Sequence, residues 1–255
     1  MDWRVWVFIF LLGAVIGSFL NVCIYRIPLD LSIVRPGSRC PSCKRPIAWY
    51  DNVPIISYLL LLGRCRHCRA PISWRYPLVE ALNGGGYLLL AWQFGLSWPT
   101  LLYAIFYSAL LVITFIDIDY QIIPDVITYP GIVIGIAASL FLPLGLWQSL
   151  LGFLIGGGIF YLVAEASYRI LKQEGMGGGD IKLIAMVGAF LGWQKVLLTI
   201  FLASLGGAVV GGAFMLAKGW GRRTPIPFGP FLALGAVIAL FWGSAILEWY
   251  VSIGR

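Results

Sequence analysis

The sequence predicts an all-α polytopic membrane protein of about eight transmembrane or membrane-embedded helices, with a small cytoplasmic zinc-binding loop domain. Of its 255 residues, 60% are hydrophobic and only 11% are charged, whereas soluble domains carry about 25% charged residues. Apolar runs also recur along the chain, several of them near the ~20 residues that a helix needs to cross a bilayer. The lipid bilayer is therefore the first partner that we expect.

Hydrophobic segments follow one another along the chain and define the expected helices. The first is too long for a signal-peptide core and lacks a basic leader, so we expect residues 1–25 to form a retained first span. The sixth is short, and a partial helix is tolerated where protein or a wet cavity covers its ends. The eight segments are 5–25, 78–97, 99–117, 125–144, 148–170, 181–192, 196–217 and 230–250.

The distribution of Lys and Arg predicts the orientation, because cytoplasmic loops are enriched in both residues. With the N-terminus outside, fifteen of the 18 Lys and Arg fall in or directly beside cytoplasmic segments, and only Arg4, Lys195 and Arg255 fall on the outer side. We therefore expect both termini outside. The expected cytoplasmic segments are 26–77, 117–125, 171–180 and 218–229.

Residues 26–77 form the one sizeable segment expected outside the membrane. Chains of this size commonly need a bound metal or disulfides to be stable. Two C-x-x-C knuckles with 21 residues between them fit a tetrahedral four-cysteine zinc site. Two disulfides or a redox motif are the alternatives, and a reducing cytoplasm disfavours disulfides. Four thiolates leave no open position, so the zinc is expected to be structural. The expected ligands are Cys40, Cys43, Cys65 and Cys68.

Basic residues around the knuckles also suit phosphate contacts, as in nucleic-acid-binding zinc ribbons. The positive-inside rule already explains their charge, and no aromatic stacking pattern is present beyond "AWYDN" and "ISWRY". We therefore expect no nucleic-acid partner. Cys23, which lies alone inside the first span, is expected to pack as a small hydrophobic residue.

Five of the eleven acidic residues lie in two loops that the predicted topology places at the same membrane face. Ionisable residues at membrane depth are costly and are functional candidates by default. Asp125 and Asp180 also have the pattern of helix N-caps, and Asp119 has the pattern of a solvated turn residue. The five are Asp117, Asp119, Asp125, Glu174 and Asp180.

Three glycines, Gly177, Gly178 and Gly179, directly precede Asp180. The segment lacks the Gly-Lys-Ser/Thr ending and the preceding strand of a phosphate-binding P-loop. Glycines allow an extended peptide to approach the backbone beside an acid, and two nearby carboxylates share one proton. The pattern favours peptide hydrolysis by two aspartates. A proton-coupled transporter that uses buried aspartates and a membrane-anchored zinc-ribbon scaffold remain open alternatives.

The order of these motifs resembles that of type IV prepilin peptidases, an aspartic membrane protease family with a G-x-G-D signature. The resemblance covers nearly the whole chain. It implies a cytoplasmic four-cysteine zinc module in residues 26–77 and a membrane-embedded catalytic domain in residues 78–255, with the aspartates in cytoplasmic-side loops. Beside the paired knuckles, the matching stretches are "GSFLNVCIYRIP" (17–28), "RYPLVEALNG" (75–84), "DIDYQIIPD" (117–125), "GMGGGDIKL" (175–183) and "PIPFGPFLALG" (225–235).

The resemblance implies an intramembrane-type aspartic endopeptidase of the bacterial inner (plasma) membrane. Its substrates would be type IV prepilins and pilin-like secretion or competence subunits, cut after Gly at the cytoplasmic face to release a short leader. The implied catalytic residues are Asp117, seven residues before Pro124, and Asp180 of the G-x-G-D motif. The residues expected to support the site are Gly177, Gly178, Gly179, Pro124 and Lys182.

A second activity is implied for members of this family that carry the four cysteines. Such members often also methylate the new N-terminus with S-adenosylmethionine, which would add a second cofactor to the structural zinc. The resemblance assigns no residues of this chain to methylation. It also leaves open the pilin system and the oligomeric state.

Overall fold

The computed structural model describes residues 2–172, 176–218 and 227–253, and Glu174 lies outside these ranges. The described residues are mostly helical and contain isolated β-bridges but no strands, which confirms the all-α prediction. Two short 3-10 turns, Ile27–Leu29 and Trp49–Asn52, accompany the helices. The α-helices are α1 Trp3–Arg26, α2 Ile56–Leu60, α3 Arg75–Phe94, α4 Trp98–Tyr120, α5 Asp125–Ala138, α6 Leu146–Leu171, α7 Gly178–Lys218 and α8 Gly229–Ile253.

Each of the eight predicted hydrophobic segments coincides with a helix or half a helix. The segments 181–192 and 196–217 are the two halves of α7, which breaks at Gly192 with φ +80° and ψ 174°. Glycine adopts this backbone conformation at little cost because it has no Cβ. Among the described residues, five helices are long and apolar enough to cross a membrane by length and composition. They are α1, α4, α6, α7 and α8.

All eight apolar segments of the prediction are therefore helical. The number of helices that cross the membrane completely stays a prediction. Helix α5 has 14 residues, fewer than a perpendicular crossing requires. Helix α3 has 20 residues but includes Arg75 and the buried Glu80. Neither helix is among the five candidates for a full crossing.

One compact unit comprises Met1–Val112. Helices α1 and α3 pack closely because glycines remove side-chain bulk at their contact: a Cβ on Gly13 would lie 2.8 Å from Gly84 Cα, and one on Gly17 would lie 2.8 Å from Glu80 Cα. The buried amide of Asn83 donates to the Gly13 carbonyl at 2.8 Å. Small residues and interhelical hydrogen bonds of this kind are typical of helix packing in membranes.

A second unit comprises Ile113–Arg255. Helix α7 is its centre and packs against α5, α6 and α8. Its contact with α6 is a backbone crossing, since a Cβ on Gly188 would lie 2.1 Å from the Gly152 carbonyl oxygen. The Ser149 hydroxyl donates to the Ala189 carbonyl at 2.6 Å beside this crossing. These contacts fix the first half of α7, at whose N-terminal end Asp180 lies.

Candidate active site and metal centre

The four predicted zinc ligands lie together. Their Sγ atoms all lie within 4.8 Å of one another, and Cys40 Sγ is 3.8 Å from Cys68 Sγ. Sulfurs bound ~2.3 Å from a tetrahedral zinc lie about 3.8 Å apart. The cluster therefore fits a zinc ion in size and donor type. The cysteines are free rather than paired as disulfides, and Cys23 is buried in α1 as expected.

The two knuckles are copies of one turn. In each, the N–H of the first cysteine donates to the carbonyl five residues on, and the residue after the second cysteine donates back to the first cysteine's carbonyl. That residue, Lys44 or Arg69, has a positive φ in both turns. The equivalence follows from an internal repeat, R-C-x-x-C-[K/R]-x-P-I-x-W, at residues 39–49 and 64–74. Cysteine spacing alone did not reveal this repeat.

Hydrogen bonds favour the thiolate form of Cys40 in the cluster. Backbone hydrogen bonding from Cys43, opposed by burial, lowers the pKa of the Cys40 thiol to about 6. Such lowering is common in C-x-x-C motifs, and the thiolate is the form that binds metals.

Arg66 donates to both oxygens of Asp51, with Nε–Oδ2 2.8 Å and Nη2–Oδ1 2.6 Å. This hydrogen bonding lowers the pKa of Asp51 and ties the knuckle to the Trp49–Asn52 turn.

Asp117 lies three residues before the end of α4, and only 5% of its surface is exposed. Its Oδ2 accepts the N–H of Gly229, the first residue of α8, at 2.9 Å. A Cβ on Gly229 would lie 2.7 Å from the same oxygen. Gly229 therefore supplies both the donor and the space that this carboxylate needs. Sequence analysis placed Gly229 in a matching stretch but did not assign it to the site.

Asp180 lies in the first turn of α7. Its N–H donates to the Gly177 carbonyl at 3.1 Å, and its carboxylate hydrogen-bonds the backbone of Gly177. Because α7 begins at Gly178, Asp180 lies at the third helical position rather than at the N-cap. Its side chain bonds back to the N-cap residue as the acidic residue of a capping box does, but Gly177 has no side chain to complete that box. The Asp180 carboxylate also interacts electrostatically with Asp117. The structure thus brings together the two aspartates that the sequence predicts as a pair.

The three motif glycines differ in their surroundings. A Cβ on Gly179 would lie 2.8 Å from the Cβ of Ile123, whereas one on Gly178 would meet nothing within 4 Å. A Cβ on Gly177 would lie 3.3 Å from Asp180 Oδ2. Pro124 follows Ile123 and occupies the N-cap position of α5. Steric need for glycine is therefore strongest at Gly179, which packs against the segment leading into α5.

Lys182 and Asp125 form an ion pair that links α7 to α5. Lys182 Nζ also lies 5.3 Å from the centroid of the Tyr129 ring. The expectation that Asp125 caps α5 is wrong by one residue: Pro124 is extended, with φ −68° and ψ 130°, so α5 begins at Asp125 itself. Asp119 is exposed, as its interpretation as a solvated turn residue implies, but it lies in the last turn of α4 rather than in a loop.

Comparisons with known proteins cover most of the chain. Residues 11–94 match the bacterial peptidase A24 N-terminal domain, and residues 104–212 match the type IV leader peptidase family. The prepilin leader peptidase/N-methyltransferase of Stutzerimonas stutzeri is 39% identical over 96% of this chain and 93% of its own length. The protein of the same name from Aeromonas hydrophila is 39% identical over 99% of this chain and 96% of its own length. The one from Pseudomonas aeruginosa is 38% identical over 94% of this chain and 91% of its own length. No solved structure gives a significant match.

Proposed function

The chain belongs to the type IV leader peptidase family, and we propose that it is an aspartic endopeptidase that removes the leader from prepilins and related pilin-like subunits. Its apolar helices make it a multi-pass membrane protein, which we place in the bacterial inner membrane. The observation that carries the proposal is that Asp117, near the end of α4, lies close enough to Asp180, at the start of α7, for the two carboxylates to repel each other. We assign these two residues as the catalytic pair.

Two neighbouring carboxylates hold one proton between them, because ionising both is costly. The ionised aspartate takes a proton from water as the water oxygen attacks the carbonyl carbon of the scissile bond. The protonated aspartate donates a hydrogen bond to the carbonyl oxygen. Proton transfer to the leaving nitrogen then gives a carboxylate on the leader and a free amine on the mature chain. General acid–base catalysis of this kind typically contributes about 10²–10⁴-fold.

Backbone groups orient the pair. The Gly229 N–H holds one oxygen of Asp117, and hydrogen bonding with Gly177 holds Asp180 at the start of α7. The ion pair of Lys182 with Asp125 supports the same end of α7 from outside the pair. These contacts restrict both carboxylates before substrate binds, and such preorganisation is where much enzymatic rate enhancement arises.

The distribution of basic residues supports a topology with both termini outside and with the zinc module and the aspartates on the cytoplasmic side. On this topology the leader stays in the cytoplasm. We propose that the bond cleaved follows a glycine and precedes the hydrophobic helix of the substrate. We propose that the four knuckle cysteines hold one structural zinc, because their geometry fits it. We also propose N-methylation of the new terminus, for which S-adenosylmethionine supplies an electrophilic methyl group.

The proposed cleavage is tested with purified protein in detergent or nanodiscs and a full-length prepilin. We expect leader removal after the glycine, resolved by mass spectrometry of both products. The matched control is the same prepilin with that glycine replaced by a bulky residue, which should stay uncut. A transporter or a zinc scaffold would leave both substrates intact.

Two neighbouring glycines give a matched pair of substitutions. We expect Gly178→Ala to retain cleavage within about twofold, because open space surrounds this position and Ala favours a helix by roughly 0.5–1 kcal/mol. Gly179→Ala should lower the rate by at least about tenfold, because its methyl would overlap Ile123 and shift the start of α7. Initial rates with a saturating prepilin measure both. Equal effects of the two substitutions would contradict the packing argument.

Gly229→Ala is expected to lower kcat by about 10²-fold with a smaller change in KM. The added methyl would lie 2.7 Å from Asp117 Oδ2 and must displace the carboxylate, and a displacement of ~1 Å can cost about 10² in rate. The control is Gly158→Ala on α6, where a Cβ meets nothing within 4 Å. Unchanged kcat in Gly229→Ala, with the variant folded, would show that this contact does not position the catalytic group.

A further inference from the structure

A run of ten uncharged residues, 53–62, lies between the two cysteine knuckles. Its sequence is VPIISYLLLL, and it includes the short helix α2. An apolar run of this length is too short to span a bilayer, and it typically forms either a buried core helix or a segment that lies in the membrane interface. The exposure of its side chains distinguishes these two possibilities.

The leucines of this run are exposed rather than packed in a core. Leu59, Leu60 and Leu62 are 64%, 79% and 85% exposed, and Ser57 is the one buried residue of the run. Contiguous exposed apolar side chains are costly in water and mark a surface that contacts a protein or a membrane. The run is therefore not a core helix.

The start of the run lies at membrane depth. In the packing of α1 against α3, a Cβ on Gly17 would lie 2.8 Å from Glu80 Cα. Gly17 lies nine residues before the end of α1 at Arg26, which is about 13 Å along the helix axis. Glu80 Oε2 accepts the Ile55 N–H at 2.7 Å. A glutamate side chain is only a few bonds long, so Ile55 lies between the two ends of the candidate span α1.

The end of the run is tied to the start of α3. The Ile72 N–H donates to the Gly63 carbonyl at 2.7 Å, and Trp74, two residues further on, is exposed and directly precedes α3. The Asn21 amide donates to the Tyr76 carbonyl at 3.1 Å, so the first turn of α3 is level with the last turns of α1. Tryptophan is enriched at this level, where the membrane meets water.

The polar groups of the run bond inside the protein, as contact with lipid requires. The Ser57 hydroxyl donates to the Tyr50 carbonyl at 2.8 Å, and the Tyr58 hydroxyl donates to the Ile72 carbonyl at 3.2 Å. In the backbone, three N–H groups donate to the carbonyl four residues earlier, those of Ser57, Leu59 and Leu61. The run therefore combines an exposed apolar surface with internally bonded hydroxyl groups.

The charge of the knuckles selects the occupant of this surface. Between residues 27 and 74 the chain has seven Lys and Arg but only two Asp. Like charges repel, so a second copy of this module is disfavoured, whereas a surface of anionic phospholipids is attracted. The six basic residues of the knuckles are all exposed: Arg39, Lys44, Arg45, Arg64, Arg66 and Arg69.

We propose that residues 53–62 insert into the membrane interface at the C-terminal end of α1, where the basic residues of the knuckles bind anionic lipid headgroups. Exposed leucines accompanied by Lys and Arg are the pattern of segments that lie in the interface without spanning it. On the proposed topology this is the cytoplasmic leaflet, whose surface is negatively charged. The insertion holds the zinc module against the membrane, although no part of the run crosses it.

Photo-cross-linking of the full-length protein in nanodiscs tests the insertion. Benzoylphenylalanine replaces Leu60 in one variant, the exposed Leu12 of α1 in a second, and the exposed His67 of the second knuckle in a third. We expect phospholipid adducts from positions 60 and 12, and at least about tenfold fewer from position 67, because burying leucine in an apolar environment is strongly favourable. Mass spectrometry identifies the adducts, and thermal unfolding checks that each variant is folded.

The lipid composition of the adducts tests the role of charge. In nanodiscs that mix phosphatidylcholine with phosphatidylglycerol, the anionic lipid should be enriched at least about twofold among the adducts of position 60, relative to its share of the bilayer. Adducts with the composition of the bilayer would refute the contact with anionic headgroups.

Two further outcomes would overturn the insertion itself. In one, position 60 yields no more lipid adduct than position 67 while position 12 is labelled. In the other, position 60 cross-links to protein, either a second copy or another segment of the same chain, which would identify a different occupant. None of these measurements uses prepilin, so failure of the proposed cleavage and failure of the insertion are distinguishable.

Discussion

Replacing either Asp117 or Asp180 with Asn is expected to lower the rate of prepilin cleavage by about 10³-fold or more while the protein remains folded. Asn has nearly the shape of Asp, and its Oδ1 still accepts the Gly229 N–H at position 117 or the Gly177 hydrogen bond at position 180. What it lacks is the ability to take or share a proton. Initial rates of leader removal measure the effect, and thermal unfolding of each variant checks the fold.

Controls and a double variant sharpen this test. Asp119→Asn, at an exposed position of the same α4 terminus, should retain most of the activity. Asp125→Asn should retain some, because it removes only the ion pair with Lys182. Since the pair acts as one unit, the double variant of Asp117 and Asp180 should lose no more rate than either single variant. Substantial turnover by either single variant would falsify the catalytic assignment.

Hydropathy predicted the helices of this chain well because the bilayer imposes the same requirement on every span. Backbone polar groups must be satisfied inside each segment, so a long apolar run becomes a helix. The boundary near Gly192 was predicted only in part: the sequence indicated two segments, 181–192 and 196–217, separated by Trp193, Gln194 and Lys195, whereas the structure joins them in one helix with a kink at Gly192. The helix start at Asp125 was misjudged by one residue, because the extended backbone of Pro124 takes the N-cap position itself.

The partners of the catalytic residues were harder to predict. Gly229 lies 112 residues after Asp117, and hydropathy indicates which segments are embedded but not which helices are neighbours. Motif order pointed to Asp117 and Asp180 without showing that the α8 terminus reaches one of them. Similarly, the acid Glu80 was counted in the sequence, but only the packing of α1 on α3 shows that it is buried beside a cavity.

Replacing Cys40 or Cys65 with Ser is expected to remove the bound zinc and to unfold the loop module of residues 26–77. The reason is the composition of the module's interior: between residues 27 and 74 the buried positions are Cys40, Ser57, Gly63 and Cys65, and none is a large apolar side chain. A module without a hydrophobic core depends on its metal, and structural zinc binds peptides with about 10–16 kcal/mol at neutral pH. Elemental analysis should give one zinc per wild-type chain and none in either variant.

Cys23→Ala is the matched control, because Cys23 is a buried cysteine outside the metal cluster and should leave the zinc content unchanged. Limited proteolysis should cut residues 26–77 rapidly in the Cys40 and Cys65 variants and slowly in this control. The aspartate pair lies in the unit Ile113–Arg255, so the rate of prepilin cleavage should fall less in the Cys40 and Cys65 variants than in either aspartate variant. A metal-free protein whose loop module resists protease as wild type does would show that zinc is not what holds this module together.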